Sequence, residues 1–443
     1  MPQFINRREA IVTEALDGIV RTTGGRLARL DGYPHVRVVV RTDWHRDRVA
    51  LVSGGGSGHE PSHAGFVGRG MLTAAVCGDV FASPSVDAVL AGILAVTGDA
   101  GCLLIVKNYT GDRLNFGLAA ERARALGRRV ATVIVDDDIA LPDLPQARGL
   151  AGTLFVHKIA GAAAEAGADL ETVAALARRV VASTRSIGMS LDTCTVPGSP
   201  REDRIPAGKA ELGLGIHGEP GVDQVDFSGA SDAVRRVADK LAAAMDDGPH
   251  VALLNNLGGT SVLEMAILAD EFARSPLADR LAWVVGPAAM MTSLDMHGFS
   301  LSVLPAAADF VEALQAPVGA AAWPGIAELV PLTLLPMPDG IVPEMAPASS
   351  SAAARLLLST ACEALLAATA DLNALDAKSG DGDTGSTLAG AARALLDSRD
   401  ALPLADPAAL CRAIGRTLSQ TMGGSSGVLL AILFSAAGEA AAA

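Results

Sequence analysis

The stretch from Arg48 to His63, RVALVSGGGSGHEPSH, decides the fold. Its first six residues, Arg48 to Ser53, form an apolar β-branched run that predicts a strand leading into a glycine loop. Further along the chain, Cys102–Val106 (CLLIV) and Arg129–Val135 (RVATVIV) predict two more strands. An amphipathic helix is expected between them, from about Leu114 to Leu126. This alternation is typical of an α/β domain whose strands are buried on both faces.

A second part of the chain repeats the alternation. Two helices are predicted first, from about Thr153 to Ala166 and from Leu170 to Arg185. The character of the sequence changes near residue 187. A new alternation of strands and helices is predicted from Asp232 to about Leu335. Its strands lie near Val251–Leu254, Ala282–Val285 and Ser300–Leu304. We therefore expect two subdomains, about 1–186 and 187–335, within one α/β unit.

The last part of the chain has a different pattern. Residues 336–351 (PMPDGIVPEMAPASSS) include four prolines and predict a linker. Residues 352–443 are helical in pattern, with helices predicted at Ala352–Ala370, Ser386–Leu396, Pro407–Leu418 and Gly427–Ala443. The pattern ends on alanines without a helix stop signal, so we expect an interrupted domain. The predicted fold class is a two-subdomain α/β unit followed by an all-α domain.

The composition excludes several classes of protein. Half of the 443 residues are hydrophobic, so sizeable cores are expected and disorder is not. A formal net charge of −14 and only 3% aromatic residues disfavour nucleic-acid binding. The five widely spaced cysteines indicate reduced thiols and a cytoplasmic protein. Neither a signal peptide at Met1–Ala10 nor a membrane span at Gly427–Gly438 is expected, because the first lacks a long apolar run and the second is too short.

Two polar segments follow predicted strands. Glycines in the loop Gly54–Pro61 (GGGSGHEP) let backbone amides approach a ligand closely, although the loop is neither a Walker loop nor a Rossmann fingerprint. Lys107 and Asp112 follow the strand that ends at Val106, where ligands bind in open α/β sheets. The residues alone leave alternatives open: a plain turn with a structural histidine, and a helix-capping Asp112 beside a solvated lysine.

A histidine flanked by glycines is a candidate nucleophile. Residues 215–221 read GIHGEPG, which indicates an exposed loop with His217 free to turn. An unprotonated imidazole nitrogen can attack a carbonyl carbon. From this loop alone, an ordinary surface histidine is the alternative interpretation.

The segment Leu375–Thr387 (LDAKSGDGDTGST) predicts a metal site. It carries the carboxylates of Asp376, Asp381 and Asp383, which would repel one another without a cation, and glycines that allow a tight turn. Hard oxygen ligands select magnesium or calcium, and the spacing does not fit an EF-hand. A solvated acidic loop that caps a helix is the alternative. Residues 422–427 (MGGSSG) open a helix and could bind phosphate, or could form a simple turn.

Other polar residues are expected to be structural. Asp136, Asp137 and Asp138 follow a predicted strand and favour a solvated turn over a metal site. His63 and His297 have no predicted partner, so a structural role is expected for both.

Together these segments resemble the single-chain form of the dihydroxyacetone kinase family. The matching strings occur in the family's order across about residues 10–435, and the joint match is highly specific. They are VSGGGSGHEPSHAGFVG, IVKNYTGDRLNF, RGLAGTLFVHKIAGAAAE, ELGLGIHGEPG, NNLGGTS, MTSLDMHGFS, LDAKSGDGDTGST and MGGSSG. The resemblance implies a ketose-binding K domain at 1–335 and a nucleotide-binding L domain that begins at 352.

The resemblance also implies roles for residues of the K domain. His217 matches the histidine that adds covalently to the ketone as a hemiaminal. The substrate contacts implied are Gly56, Ser57, Gly58, His59, Lys107 and Asp112. His59 and Asp112 would orient or deprotonate the hydroxyl that attacks the γ-phosphate.

For the L domain, the resemblance implies ATP and Mg²⁺ as cofactors. Asp376, Asp381 and Asp383 match the ligands of two magnesium ions that bridge the nucleotide phosphates. Phosphate contacts are implied for Thr384, Gly385, Ser386, Thr387, Ser425 and Ser426. The family also implies a homodimer through the K domain, with a small ketose and ATP as partners, and neither nucleic acid nor membrane.

The resemblance leaves the activity and the substrate partly open. Family L domains form a barrel of about eight helices, so residues 352–443 match its N-terminal half, and we expect covalent ketose binding with poor phosphorylation. The substrate could instead be a four-carbon ketose such as erythrulose. The same resemblance also allows a regulator that binds a ketose, or a lyase that cyclises FAD.

Overall fold

The computed structural model describes residues 3–32, 34–140, 147–338, 346–378 and 380–442. The chain forms two compact units, Met1–Leu332 and Thr333–Ala443. Part of the predicted linker, 339–345, and Ser379 of the acidic loop lie outside the described residues. The predicted fold class, an α/β unit followed by a helical one, is confirmed.

The first unit begins with a six-stranded sheet in the order β1-β2-β4-β3-β5-β6. Strands β3, β4, β5 and β6 are parallel, whereas β1 and β2 run antiparallel at one edge. The strands are β1 (Leu27–Arg29), β2 (Val38–Arg41), β3 (Ala50–Ser57), β4 (Ala74–Val80), β5 (Cys102–Lys107) and β6 (Val130–Val135). Strands β3 and β5 are buried along their whole length, as expected for the centre of a sheet covered on both faces.

Five helices belong to this half of the unit. They are α1 (Ile11–Thr22), α2 (Val86–Val96), α3 (Thr110–Ala125), α4 (Thr153–Glu165) and α5 (Leu170–Ser183). Side-chain oxygens of Ser85 and Asp169 accept backbone N–H groups at the starts of α2 and α5. One core packs α2 and α3 on one face of the sheet, and a second packs α4 and α5 on the other.

A seven-stranded sheet forms the second half of the unit, in the order β13-β11-β10-β12-β7-β8-β9. Its strands are β7 (Arg185–Ser190), β8 (Lys209–Leu212), β9 (Asp223–Asp226), β10 (His250–Asn256), β11 (Leu281–Ala289), β12 (Gly298–Pro305) and β13 (Ile326–Glu328). Only β10 and β11 pair in parallel. Its helices are α6 (Ala230–Ala244), α7 (Val262–Arg274) and α8 (Ala308–Gln315), and a capping box of Ser261 and Glu264 starts α7.

The second unit is helical. It contains α9 (Ala352–Ala367), α10 (Thr369–Asp376), α11 (Thr384–Asp397), α12 (Pro407–Thr421) and α13 (Gly424–Ala440). Asp406 caps α12 by accepting the N–H groups of Ala408 and Ala409. In the described ranges, no individual helix has both the length and the apolar character of a membrane span, although α9 and α10 together, bent by 58°, would reach them.

The main predicted elements are present, with altered limits. Strand β3 continues to Ser57 instead of ending at Ser53, because Gly54 and Gly55 pair with Val76 and Cys77 of β4. A side chain at Gly54 would lie 2.1 Å from the Val76 carbonyl oxygen, so this close pairing requires glycine. Helix α3 begins four residues before the expected Leu114. The single helix predicted at Ala352–Ala370 ends at Ala367, and α10 follows it as a separate helix.

Candidate active site

Two predicted site segments meet at one edge of the first sheet. Strand β3 ends at Ser57 and its parallel neighbour β5 ends at Lys107. Since both strands run in the same direction, their carboxyl ends carry the glycine loop and the Lys107–Asp112 segment to the same place. The site is therefore built on paired, buried strands.

The glycine loop leaves room for polar groups. A side chain at Gly55, whose φ is +149°, would lie 3.3 Å from both Lys107 Nζ and Asp112 Oδ2. A Cβ at Gly56 would approach the backbone of Ala82 to 2.8 Å. Ser57 Oγ donates to the Gly78 carbonyl oxygen at 2.9 Å. The backbone at Gly55 thus approaches the two charged groups more closely than a larger residue would allow.

Lys107 and Asp112 are buried charged groups. The ammonium of Lys107 lies 5.9 Å from the Tyr109 ring centroid and has no hydrogen-bond partner among the described residues. Burial lowers the pKa of Lys107, and the Asp112 and Glu219 carboxylates oppose that shift. Asp112 lies in the first turn of α3 and accepts a 2.5 Å hydrogen bond from the Ser83 hydroxyl. Lys107 therefore has donors available for a ligand.

His217 lies directly against this group of residues. It occupies the loop between β8 and β9, and its Nε2 lies 3.2 Å from Nε2 of His59. The ring of Tyr109 meets the ring of His217 edge to face, with centroids 4.3 Å apart, and Phe81 does the same at 5.4 Å. The histidine is therefore partly enclosed by rings rather than free in solvent.

The second sheet supplies the partner of His59. The Nδ1 atom of His59 lies 2.8 Å from the Thr292 carbonyl oxygen, in the loop between β11 and β12. A carbonyl only accepts, so Nδ1 carries the proton of this bond. Burial, with the charge of Lys107, holds the pKa of His59 well below its ordinary value and keeps the ring neutral.

Glu219 is a site residue that sequence reasoning missed. Its Oε2 accepts the backbone N–H of His217 at 2.8 Å, and its Oε1 lies 3.4 Å from Nδ1 of the same ring. Burial would raise the pKa of Glu219, but the hydrogen bond and charge of His217 outweigh it and lower that pKa to about 2. Its position two residues after His217 was the available signal. The contacts of Ser83, Phe81 and Thr292 are long-range and left no such signal.

The three aspartates of the second unit converge. Ligand oxygens of Asp376, Asp381 and Asp383 lie within 4.8 Å of one another. Asp376 Oδ2 accepts the N–H groups of Gly382 and Asp383 at 3.0 and 3.1 Å. The charge of Asp381 raises the pKa of Asp383, which is the mutual repulsion that a divalent cation relieves. The donor set therefore fits a hard cation such as Mg²⁺.

The predicted phosphate contacts lie at two helix starts. Thr384, Gly385, Ser386 and Thr387 form the first turn of α11, which follows Asp383 directly. Ser425 and Ser426 lie in the first turn of α13. The backbone N–H groups of Thr384 and Ser386 donate to Asp376 and Asn373 side chains, whereas α13 has no side-chain cap at its start. Helix N-termini are suited to phosphate oxygens.

The prediction of a solvated turn is correct for Asp136, which is exposed, but wrong for the two aspartates that follow it. Asp137 and Asp138 are buried, not solvated. Asp137 accepts the N–H groups of Leu150 and Gly152 at 2.7 and 2.9 Å ahead of α4, and Asp138 pairs with Arg148 at 2.6 Å. These long-range partners satisfy both carboxylates inside the protein. His63 is buried, and His297 pairs with Glu264 at 2.8 Å.

Comparisons with known proteins agree with this arrangement. A family model of the Dak1 domain matches residues 17–322, and a model of the DAK2 domain matches residues 378–443. The dihydroxyacetone kinase of Citrobacter freundii is 50% identical over 455 residues, which are 98% of this chain and 80% of that protein. A putative 3,4-dihydroxy-2-butanone kinase of Solanum lycopersicum is 45% identical, over 98% of this chain and 78% of that protein.

A solved structure matches as well. The crystal structure of the dihydroxyacetone kinase from C. freundii in complex with AMP-PNP and Mg²⁺ superposes with a TM-score of 0.78 at 49% identity. The match covers 99% of this chain and 83% of that chain. The fold and the two domain matches define a protein that joins a Dak1 domain to a DAK2 domain. The chain belongs to the dihydroxyacetone kinase family.

Proposed function

We propose that this chain phosphorylates a short-chain ketose with ATP and holds the ketose on His217 as a hemiaminal, with dihydroxyacetone as the first candidate. The observation that carries the proposal is the 3.2 Å approach of His217 Nε2 to His59 Nε2, beside the buried Lys107 and Asp112. The relative from C. freundii, named as a dihydroxyacetone kinase, supports the choice of substrate.

Covalent binding explains how the site would select a ketose. An imidazole nitrogen can add to a carbonyl carbon, but it has no such reaction with a polyol. A three-carbon polyol such as glycerol differs little from dihydroxyacetone in shape. The chemistry of His217, rather than the size of the pocket, therefore discriminates between them.

The remaining polar groups position the ketose. Backbone groups of Gly56, Ser57 and Gly58 and the ammonium of Lys107 bind its hydroxyls. Asp112 accepts the proton of the hydroxyl whose oxygen attacks the γ-phosphorus of ATP, and ADP leaves. The hydrogen bond from Ser83 holds the Asp112 carboxylate in place for that transfer.

The helical unit holds the nucleotide. Residues 352–443 would form the ATP-binding part, the segment 336–351 a linker, and residues 1–335 the ketose-binding part with subdomains divided near residue 186. Asp376, Asp381 and Asp383 hold Mg²⁺, which neutralises charge on the phosphates when it is bound. The first turns of α11, with Thr384, Gly385, Ser386 and Thr387, and of α13, with Ser425 and Ser426, contact phosphate oxygens.

A four-carbon ketose is the second candidate substrate. The relative from S. lycopersicum, named as a putative 3,4-dihydroxy-2-butanone kinase, favours it. Parallel measurement of kcat/KM for dihydroxyacetone and for erythrulose discriminates between the two chain lengths. A ratio above about ten in either direction assigns the preferred substrate.

Two further properties are part of this proposal. We infer a homodimer through the Dak1 unit, as the family resemblance implies, and sedimentation equilibrium tests it. The five free cysteines, four of them buried, support a reducing, cytoplasmic location, which cell fractionation tests.

A coupled assay of ADP release tests the kinase activity itself. We expect turnover that depends on both the ketose and Mg²⁺, and loss of turnover in His217→Ala. Dihydroxyacetone-dependent turnover that survives in His217→Ala would overturn covalent binding as part of the mechanism.

A further inference from the structure

The His217 ring is contacted at both of its nitrogens. Nε2 lies 3.2 Å from His59 Nε2, and Nδ1 lies 3.4 Å from Glu219 Oε1. The second oxygen of Glu219 accepts the backbone N–H of His217 at 2.8 Å, so the carboxylate is fixed to the same residue twice. Each ring nitrogen of His217 therefore has its own neighbour, His59 at Nε2 and Glu219 at Nδ1.

The acceptors around the two histidines restrict where their protons can lie. His59 uses its Nδ1 proton on the Thr292 carbonyl, so its Nε2 is an acceptor. The proton between the two Nε2 atoms must then come from His217. A carboxylate is also only an acceptor, so the proton facing Glu219 belongs to Nδ1 of His217. In the ligand-free site, each ring nitrogen of His217 thus faces an acceptor atom.

We propose that Glu219 is the positioning residue of the nucleophile: it fixes a proton on Nδ1 of His217, leaves Nε2 as the reacting atom, and balances the charge that the ring carries in the ketose adduct. This inference rests on the proposed function, because it concerns the same covalent step. Glu219 itself touches neither the ketose carbon nor the phosphate.

The atoms and charges of the step balance. His217 Nε2 passes its proton to Nε2 of His59, and the freed lone pair bonds to the ketone carbon. The carbonyl π bond breaks, and its oxygen takes the proton from His59 and becomes the hemiaminal hydroxyl. His59 ends neutral, and His217 ends as an alkylated imidazolium with its proton on Nδ1. The step therefore starts from His217 with a proton on each nitrogen and keeps one positive charge on the ring beside the Glu219 carboxylate throughout.

The absence of a side chain at Gly215 leaves room for the Glu219 carboxylate. A Cβ at Gly215 would lie 2.2 Å from Glu219 Oε2, so any side chain there would displace the carboxylate. The Cβ position at Gly215 also lies 3.0 Å from Nη1 of Arg148, so the Arg148 guanidinium is a second positive group close to the Glu219 carboxylate. The rings of Tyr109 and Phe81 cover part of the His217 ring, which strengthens a charge interaction there.

The test compares adduct formation in four proteins. Dihydroxyacetone labelled with carbon-13 at the carbonyl is titrated into wild type, Glu219→Gln, Gly215→Ala and Glu264→Gln, and NMR follows the loss of the carbonyl signal to a tetrahedral carbon. Glu264→Gln is the matched control, because Glu264 pairs with His297 in a partly exposed carboxylate–histidine pair of the same unit.

We expect Glu219→Gln to weaken the adduct about tenfold or more, because the alkylated ring loses its counter-charge. Gly215→Ala retains every carboxylate but displaces that of Glu219, so it should also weaken the adduct. The double variant should form the adduct no more weakly than Glu219→Gln alone. Nitrogen-15 NMR of labelled histidine should show the Nδ1 proton of His217 in wild type and its loss in Gly215→Ala. Glu264→Gln should bind as wild type does.

Different results would contradict the covalent step and the role of Glu219. If wild type forms no tetrahedral adduct, the proposed function is wrong. If wild type forms the adduct and Glu219→Gln forms it with the same affinity, Glu219 is not the positioning residue. A wild-type His217 that carries its only proton on Nε2 in the adduct-free protein would also contradict the inference.

Discussion

The Nε2 atoms of His59 and His217 lie 3.2 Å apart although 158 positions separate the two residues in the chain. One histidine follows a strand of the first sheet, and the other lies in a loop of the second sheet. Two ring nitrogens at this distance can share one proton and act as a single reactive group. The site therefore exists only when both halves of the first unit are folded together.

Replacement of Asp112 by asparagine should separate binding from phosphoryl transfer. The amide cannot accept the hydroxyl proton, so we expect kcat to fall roughly a hundredfold to ten-thousandfold while the adduct on His217 still forms. Steady-state kinetics together with carbon-13 NMR measure the two effects. Ser83→Ala removes only the 2.5 Å hydrogen bond to Asp112 and should cause a smaller fall. Equal kcat in wild type and Asp112→Asn would exclude Asp112 as the base.

The acidic loop of the second unit should bind Mg²⁺ through all three aspartates. Asp381→Asn removes one ligand charge and should weaken Mg²⁺ binding by at least about tenfold, as measured by calorimetry with and without ATP. Asp371→Asn is the matched control, because Asp371 lies at the start of α10 outside the cluster. Unchanged Mg²⁺ affinity in Asp381→Asn would remove Asp381 from the site.

Two glycine-to-alanine substitutions should have opposite effects on stability. At Gly54 the new methyl would lie 2.1 Å from the backbone oxygen of Val76, so the free energy of unfolding should fall by at least about 2 kcal/mol. At Gly117, inside α3, nothing lies within 4 Å, and alanine should add about 0.5–1 kcal/mol. Urea unfolding followed by tryptophan fluorescence reports on the first unit alone, because Trp44, Trp283 and Trp323 all belong to it. Equal stability of the two variants would contradict the packing described for β3.

Acid should destabilise the first unit through its buried histidines. Burial and the charge of Lys107 lower the pKa of His157 to about 3, and burial also lowers that of His63. The unfolded chain has ordinary histidine pKa values of about 6.5, so between about pH 6.5 and about pH 3 it binds more protons than the folded chain. The stability that these histidines contribute is therefore present above about pH 6.5 and is lost as the pH falls toward 3. In His157→Leu the loss of stability between about pH 7 and about pH 5 should be shallower than in wild type. An unchanged slope in His157→Leu would show that this ring does not contribute.

Local patterns in the sequence predicted the buried strands well. Strands such as β5 and β10 carry continuous apolar runs, and their limits differ from the predicted ones by a few residues. Strands β7, β8 and β9 were not predicted, because they are short and β9 is largely exposed at the edge of its sheet. Pairing with neighbours, rather than intrinsic preference, holds such strands in place.

Site residues could be predicted only where one short segment carries both the reactive side chains and the sequence signal for the turn or strand end that holds them. The glycine loop, the Lys107–Asp112 segment and the acidic loop each carry their own signal. The buried partners of Asp137 could not be foreseen, because Leu150 and Ser186 reach it from distant segments. The role inferred for Glu219 likewise depends on the conformation of its loop, which no local sequence pattern predicts.

NMR of carbonyl-labelled dihydroxyacetone bound to wild type and to His217→Ala shows whether His217 holds the ketose covalently. Covalent binding at His217 predicts a tetrahedral carbon signal in slow exchange with wild type and only free ketone signals with His217→Ala, whose fold is checked by tryptophan fluorescence. A tetrahedral adduct of equal intensity on His217→Ala, or none on wild type at saturating ketose, would contradict it.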